Sequence, residues 1–575
     1  MGRRKIERLC IVAAMAACGF PNAATARDFD LLIRGGTVID GSGTPRRTAD
    51  VGINGDTIAA VGNLTGSKGK TEIKAQGLVV APGFIDMHSH ASGDNGLDSK
   101  DVRRRAAQNF VGQGITSAAI NPDGRQPASL IEQRQGYEKN GIGLNVALFN
   151  GHNSIRATVL GPKPERTATP AEIEKMKDIL RRGLEREGSF GLSLGVEYEP
   201  GRWATSDELV ELSKVLPEYH GVYTSHVRSQ GISPMWYDPS RNKGTPAPTF
   251  EDSFKETLRT AEETGAVTVI THMKGWGPGY RGEAKKWIAE IQKARDRGAK
   301  LFIDVYSFDS TGSDGTFILL PAWALGEEEG SPPPKDYAVA LKQVLAEGPR
   351  ALADLRLDVD QQVALKGGAE NVVVLDYKDK SYVGKRLAEI MKARNMDATQ
   401  IAIALQTEGD PSVAGGIKMR SLSLDENDVA AYYAQPWTAT GTDGSIVLPE
   451  EAVGPKKYVG TNRRHFGTYP RRLAYVSQVQ KADSLEEAIR KSTSLPAEIL
   501  NIHDRGKLVA GMKADIVILD MATLKDNTTV AEPSVYPSGV QHVFVNGVAA
   551  VKDGQRTQAL AGRVLDPPGR PAQRP

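Results

Sequence analysis

Cysteine is nearly absent from this chain. Only Cys10 and Cys18 occur among 575 residues, and both lie in the opening stretch MGRRKIERLCIVAAMAACGFPNAATARD. There a basic head precedes a short apolar run and then small residues, the pattern of an export signal. The expectation is a leader over residues 1–26, cleaved after Ala26, and a periplasmic mature protein; the alternative is a lipoprotein anchored through Cys18. A mature chain without cysteine excludes thiol nucleophiles, disulfides and thiolate metal ligands. Long apolar runs are missing as well. Nothing after the first segment approaches the roughly 18 apolar residues that mark a spanning helix, so no stable membrane span is expected in the mature chain. An excess of one charge is also lacking. The formal +2 falls to about −1 once Arg3, Arg4, Lys5, Arg8 and Glu7 are removed with the leader, which leaves no electrostatic footprint for nucleic acid. No phosphate-cradling Gly-x-x-x-x-Gly-Lys-[Ser/Thr] loop is present.

What is there is an ordinary globular composition, 25% charged and 40% apolar, long enough for one large core and a smaller domain. Residues 27–81 and 501–560 contain short apolar stretches such as FDLLIRGGTVID, GLVVAPG and VQHVFVNGVAAVKDG. Turn residues interrupt them every few positions, so they are expected to be strands. Two strand-rich ends around a large middle predict one small β-sandwich domain built from both termini.

The middle, 82–500, alternates strand-like runs with helical patterns. Candidate strands are 84–90, 114–121, 145–152, 191–198, 221–229, 266–274, 300–309 and 438–444; helices are expected over 171–186 and 253–265. Eight such strands predict an α/β fold of the TIM-like (β/α)8 class, with the active site at the strand C-termini. An open doubly wound sheet is the alternative, but no dinucleotide-type glycine fingerprint opens a first strand-to-helix turn. The strand spacing fails between about 311 and 435, where an insertion near the barrel mouth is expected, either as a lid or as a structural excursion. Residues 561–575 read as a proline-rich tail without a core of its own.

The strongest chemical signal is Pro82-Gly83-Phe84-Ile85-Asp86-Met87-His88-Ser89-His90. Two residues apart on a strand, His88 and His90 point to one side and can face one metal ion. His226 in YTSH and His272 in VITH end two further candidate strands, and Asp443 sits likewise in GTDG. Four of the nine histidines and a carboxylate thus converge on one barrel mouth.

That collection resembles the amidohydrolase superfamily and, within it, the N-acyl-D-amino-acid deacylase (D-aminoacylase) family. The resemblance runs through LLIRGGTVIDGSG (31–43), VVAPGFIDMHSH (79–90), GLSLGVEYEPGRWATSDEL (191–209), YTSHVRSQ (223–230), ITHMKGWG (270–277), TGTDG (440–444) and FGTYPRRL (466–473). It implies hydrolysis of small N-acyl amino acids or dipeptide-like substrates with one or two Zn²⁺ ions. His88, His90, Asp123, His226, His272 and Asp443 would be the metal residues, and Asp443 or His272 would act in catalysis. The family's usual Asn-Cys-Gly is replaced by Asn121-Pro122-Asp123-Gly124; Asp123 is the natural substitute ligand, although Pro-Asp-Gly is also ordinary turn chemistry. Glu197 is the competing carboxylate. Lys274 and Arg228, each two residues beyond a histidine, are candidate clamps for the substrate carboxylate. Tyr198, Tyr306 and Arg464 are further candidate substrate contacts, and Arg471 either guards a pocket or pins a loop. His152 is left outside the metal set, and His465 and His503 are read as surface or packing residues. The Asp123 substitution and the altered segment Asp304-Val305-Tyr306-Ser307-Phe308 keep a cyclic amidase or a D-dipeptidase open, and a silent binding protein is the reading from another class. Oligomeric state is not encoded in any pattern here.

Overall fold

The computed structural model describes residues 28–127, 129–311, 317–327, 333–452 and 462–570. The expected leader, with Cys10 and Cys18, and residues 571–575 of the tail lie outside them. Eight parallel strands form the central sheet: β1 (Phe84–Asp86), β2 (Ile115–Ile120), β3 (Asn145–Gly151), β4 (Ser189–Gly195), β5 (Val222–His226), β6 (Val267–Ile270), β7 (Leu301–Val305) and β8 (Thr438–Thr440). Neighbours in the sheet follow chain order from β1 to β7, and β8 pairs with β7. β2, β3 and β4 are buried along their entire length, the reason their sequences read as near-continuous apolar runs instead of alternating.

The barrel closes just beyond the ends of β8 and β1. The Met87 N–H donates to the Thr440 carbonyl (3.3 Å) and the Asp443 N–H to the His88 carbonyl (2.8 Å); Gly444–Ser445 then pairs in parallel with Ser89–His90. The seam therefore carries His88 and His90 on one side and Asp443 on the other. Inside, Ile85, Phe149, Phe190, Val222 and Val269 pack together with Leu495, Ile499 and Leu500 from below. The interior is a filled core, where burying each large side chain stabilises by roughly 1.5–3 kcal/mol.

The wrapping helices show their start signals. Pro170–Arg186 begins at Thr169, whose hydroxyl accepts from the Glu172 N–H while the Glu172 carboxylate accepts from the Thr169 N–H, and proline occupies the first turn. Its buried Met176, Leu180 and Leu184 recur every four residues along one stripe. Phe250–Thr264 starts with the same device at Thr249 and Asp252 and stops at the left-handed Gly265.

The two chain ends build one nine-stranded sheet. Residues 28–82 supply five strands and residues 516–556 four, joined where Ile516–Leu519 pairs antiparallel with Val79–Pro82. Strand Asp28–Val38 branches: its first half pairs with Lys68–Lys74 and its last residues with Val79–Pro82. Ile33, Val51, Ile53, Ile58, Val80, Leu508 and Ile516 fill the space enclosed by this curled sheet.

The expected insertion has a core of its own, including Leu320, Leu341, Leu355, Val359, Val372, Ile401 and Leu405, and a two-stranded antiparallel sheet of Val372–Asp376 with Lys418–Ser421. Helix Glu426–Tyr433, inside the expected boundary, instead packs against β7 through Val429, Tyr432 and Tyr433. The tail does not hang free. Val564 bridges to Val146 at the bottom of β3, and Leu565 joins the interior cluster. Among the described residues no helix is long and apolar enough to cross a membrane.

Candidate functional site

The C-terminal ends of β1, β2, β5, β6 and β8 meet in a cavity of about 390 Å³. His90, Asp123, His226, His272 and Asp443 line it together with Arg125, Tyr198, Gln230, Met235, Lys274, Trp276, Thr311 and Arg464. Two overlapping donor sets stand inside one small volume. His88, His90 and Asp443 form one, and His88, Asp123 and His272 the other; within each, the ligand atoms lie within 4.8 Å of one another. His90 Nε2 is 3.3 Å from Asp123 and 3.1 Å from Asp443, and His226 Nδ1 is 3.0 Å from His272 Nε2.

Buried polar atoms nearly always find a partner. Here His88 Nε2 and Asp123 Oδ1 are buried without one, yet they face each other at 3.4 Å. Burial opposes a charge on His90, but the Asp123 and Asp443 carboxylates outweigh it and hold the imidazole up at about 9. Burial pushes the His88 imidazole down to about 4. Unpaired donor atoms, one neutral imidazole and two carboxylates drawing positive charge between them are what a divalent cation satisfies.

The backbone is bent to achieve this. Asn121, Asp123, His272 and Asp443 all have left-handed dihedrals, with φ of +63°, +55°, +36° and +50°. Asn and Asp tolerate that region; His272 is held there by the Asp304 carboxylate, which accepts its N–H at 2.7 Å. Asp86 works alike on the closing seam, accepting from the N–H groups of His88 and Thr442 and from the Thr442 hydroxyl. Burial pushes both carboxyls up, Asp86 to about 7.

Residues 383–551 match the amidohydrolase family. Over 565 residues, 94% of this chain and 98% of the relative, the sequence is 29% identical to the D-aminoacylase of Alcaligenes xylosoxydans xylosoxydans. The chain is thus similar to amidohydrolases over that segment and to a D-aminoacylase along nearly its whole length. Two solved structures agree along its length. A D-aminoacylase studied for its binuclear metal centre superimposes with a TM-score of 0.68 at 27% identity, and an N-acyl-D-glutamate deacylase from Bordetella bronchiseptica, complexed with zinc and a phosphonate inhibitor, with 0.69 at 25%. Each covers 94% of this chain and 100% of its own.

Within this cavity, Asp123 and Glu197 are separated by geometry. Asp123 reaches toward His88, His90, His226 and His272, whereas Glu197 sits behind the cluster, 2.7 Å from His226 Nε2 and accepting the Met235 N–H at 2.7 Å. Glu197 thereby fixes how the His226 ring is turned. Burial works against ionisation of Asp443, but Arg464, 2.8 Å away, and the neighbouring imidazoles keep its carboxyl well below the usual range. Lys274 is 7% exposed, and no carboxylate pairs with its ammonium among the described residues; burial lowers it to about 8. The Tyr198 hydroxyl stands 3.4 Å from His226 Nδ1.

Three expectations change. Arg228 turns away from the cavity: its guanidinium is bound by Glu256 and by the carbonyls of Arg202 and Ala204. β5 ends at His226, so the two-residue alternation no longer applies at 228. Tyr306 lies under the cations instead of in the wall, with its ring 5.3 Å from Lys274 Nζ and 5.1 Å from the Arg464 guanidinium. Arg464 itself is committed to Asp443, and Arg471 pins a loop by donating to the Ser307 carbonyl and pairing with Glu426. His465 is fully buried and accepts the Ser445 N–H. Gln230, Arg125, Met235, Trp276 and Thr311 were not selected from sequence. Of these, Gln230, whose Nε2 is 3.2 Å from His272 Nδ1, stood within the family-like YTSHVRSQ and was the most accessible to find.

Proposed function

We propose that this amidohydrolase cleaves the amide bond of N-acyl-D-amino acids, releasing a carboxylate and a free D-amino acid. The observation carrying this reading is the conjunction, in one cavity, of the converging donor set with a buried Lys274 with which no carboxylate pairs among the described residues. Full-length similarity to D-aminoacylases supports it and does not favour ring-opening or silent alternatives. His88, His90, Asp123, His226 and His272 would hold one or two zinc ions, which when bound supply polarisation of the scissile carbonyl and acidification of a water molecule.

The chain's own residues supply the rest. The Lys274 ammonium neutralises the substrate carboxylate, and the depth of that ammonium places the amide beside Asp443. Asp443, ionised at neutral pH, accepts a proton from the attacking water as the hydroxyl joins the acyl carbon. The same carboxylic acid returns that proton to the amide nitrogen as the C–N bond breaks, so one side chain serves as base and then acid. Arg464 holds Asp443 in place through this exchange, and Tyr198 offers a hydroxyl beside His226 in the same cavity.

Export completes the reading: the leader-like residues 1–26 would direct the enzyme to the periplasm, where a chain beginning at Arg27 in the periplasmic fraction is the expected finding. For the activity, amine release is measured from paired N-acyl-D- and N-acyl-L-amino acids, D-dipeptides and cyclic amides. Turnover selective for the D-acyl series supports the proposal, and turnover confined to rings or dipeptides contradicts it.

A further inference from the structure

Lys274 accounts for one substrate carboxylate and leaves a second cation in the cavity wall without a task. Arg125 follows the left-handed pair Asp123 and Gly124, with φ of +55° and +74°. A Cβ added at Gly124 would meet Asn153 Oδ1 at 2.1 Å, and its left-handed φ disfavours any side chain, so the turn favours glycine. That turn directs the Asp123 carboxylate to the donor cluster and sets Arg125 in the same cavity's wall. The Arg125 guanidinium lies 5.4 Å from the centre of the Tyr198 ring, a stacking that limits its freedom. No carboxylate pairs with Arg125 among the described residues, whereas Arg228, Arg464, Arg471 and Arg472 around the barrel mouth all have one.

The cavity thus presents two unpaired cations at two depths, Lys274 buried and Arg125 exposed at the edge. An N-acyl amino acid with a neutral side chain and a neutral acyl group brings a single negative charge. We propose that the preferred substrate carries two carboxylates, one meeting Lys274 and the second gripped by the planar fork of Arg125. This inference rests on the deacylase reading and narrows its substrate class. The second carboxylate belongs either to an acidic side chain or to a dicarboxylic acyl group, and both present the same chemistry to the guanidinium.

The test compares kcat/KM of the metal-loaded enzyme for N-acetyl-D-glutamate, N-succinyl-D-leucine and N-acetyl-D-leucine. One of the doubly charged substrates is expected to exceed the neutral one by about tenfold or more, and which of them does so assigns the source of the charge. In Arg125→Gln that ratio is expected to fall about tenfold, through KM, with Arg125→Lys recovering part of it; added salt narrows the preference in the wild type. Equal or better turnover of the neutral substrate, a preference that Arg125→Gln leaves intact, or an equal loss on all three would overturn the inference while the deacylase reading stands. Turnover of none of the three overturns both.

Discussion

Behind the mouth, Glu208 of the helix Ser206–Ser213 meets His152 and Arg156 in a network closed to solvent; the three are 1%, 0% and 0% exposed. His152 Nε2 is 2.9 Å from Glu208, Arg156 pairs with the other carboxylate oxygen, and Arg156 also donates to the Arg166 carbonyl. Glu208→Gln keeps the shape but leaves a buried guanidinium without a counter-charge, a loss of about 3–5 kcal/mol. That is a large share of the roughly 5–15 kcal/mol that holds a protein folded. Burial raises the Glu208 carboxyl, but His152 and Arg156 outweigh it and bring it below its usual value. A depressed folded value means that the stabilisation is present above the unfolded value of about 4.3 and is lost as pH falls through the folded one. Urea unfolding of wild type and Glu208→Gln, followed by far-UV circular dichroism, should therefore show a wide gap at pH 7.5 that narrows in acid. The network also reaches the site. His152 Nδ1 lies 3.3 Å from Asn153 Oδ1, and Asn153 donates to the carbonyl of Gly195 at 2.9 Å, just ahead of Glu197 and Tyr198. An unchanged unfolding midpoint at pH 7.5, or a gap that widens in acid, would refute the reasoning.

Other consequences are local. Asp123→Ala should weaken zinc retention by more than the 10–100-fold typical of supporting partners, read by metal analysis after dialysis with the circular dichroism spectrum unchanged; full retention would return the ligand role to Glu197. Lys274→Met removes the charge facing the substrate carboxylate and should raise KM by about 30-fold or more, since losing a partner for a buried charge costs about 2 kcal/mol or above. Buried Asp358 of the insertion accepts from the Ser240 N–H and hydroxyl and from the Trp323 indole, and so anchors the segment that carries Met235. Asp358→Ala should speed hydrogen exchange over 232–243 and raise KM, and an unaltered exchange pattern there would show that the insertion does not steady this wall.

The barrel was legible because its strands are buried on both faces and so leave apolar runs, and because strand ends are where side chains can converge. Those rules located His88, His90, His226, His272 and Asp443. They failed at Arg228, where the strand had already ended and the deciding partner, Glu256, comes from a later helix. The same spacing argument pointed to Lys274, which lines the cavity although β6 ends at Ile270; the left-handed residue His272 lies between them, and no periodicity announces it. Asp86 and Asp304 were visible as residues, but their work, holding backbone N–H groups beneath the ligands, appears only once the barrel is closed. The docking of 562–565 under β3 depends on a few backbone hydrogen bonds that a proline-rich sequence does not advertise.

The most direct test of the central claim is a zinc titration of metal-stripped enzyme, with amine release from N-acyl-D-amino acids recorded at each bound equivalent for wild type and Asp443→Asn. The account predicts that D-selective activity rises with zinc occupancy in the wild type, and that the Asp443→Asn enzyme turns over at least about 100-fold more slowly at equal occupancy, the contribution expected of an acid–base group. Wild-type turnover that is independent of zinc, or an Asp443→Asn enzyme that matches the wild type when equally loaded, would contradict it.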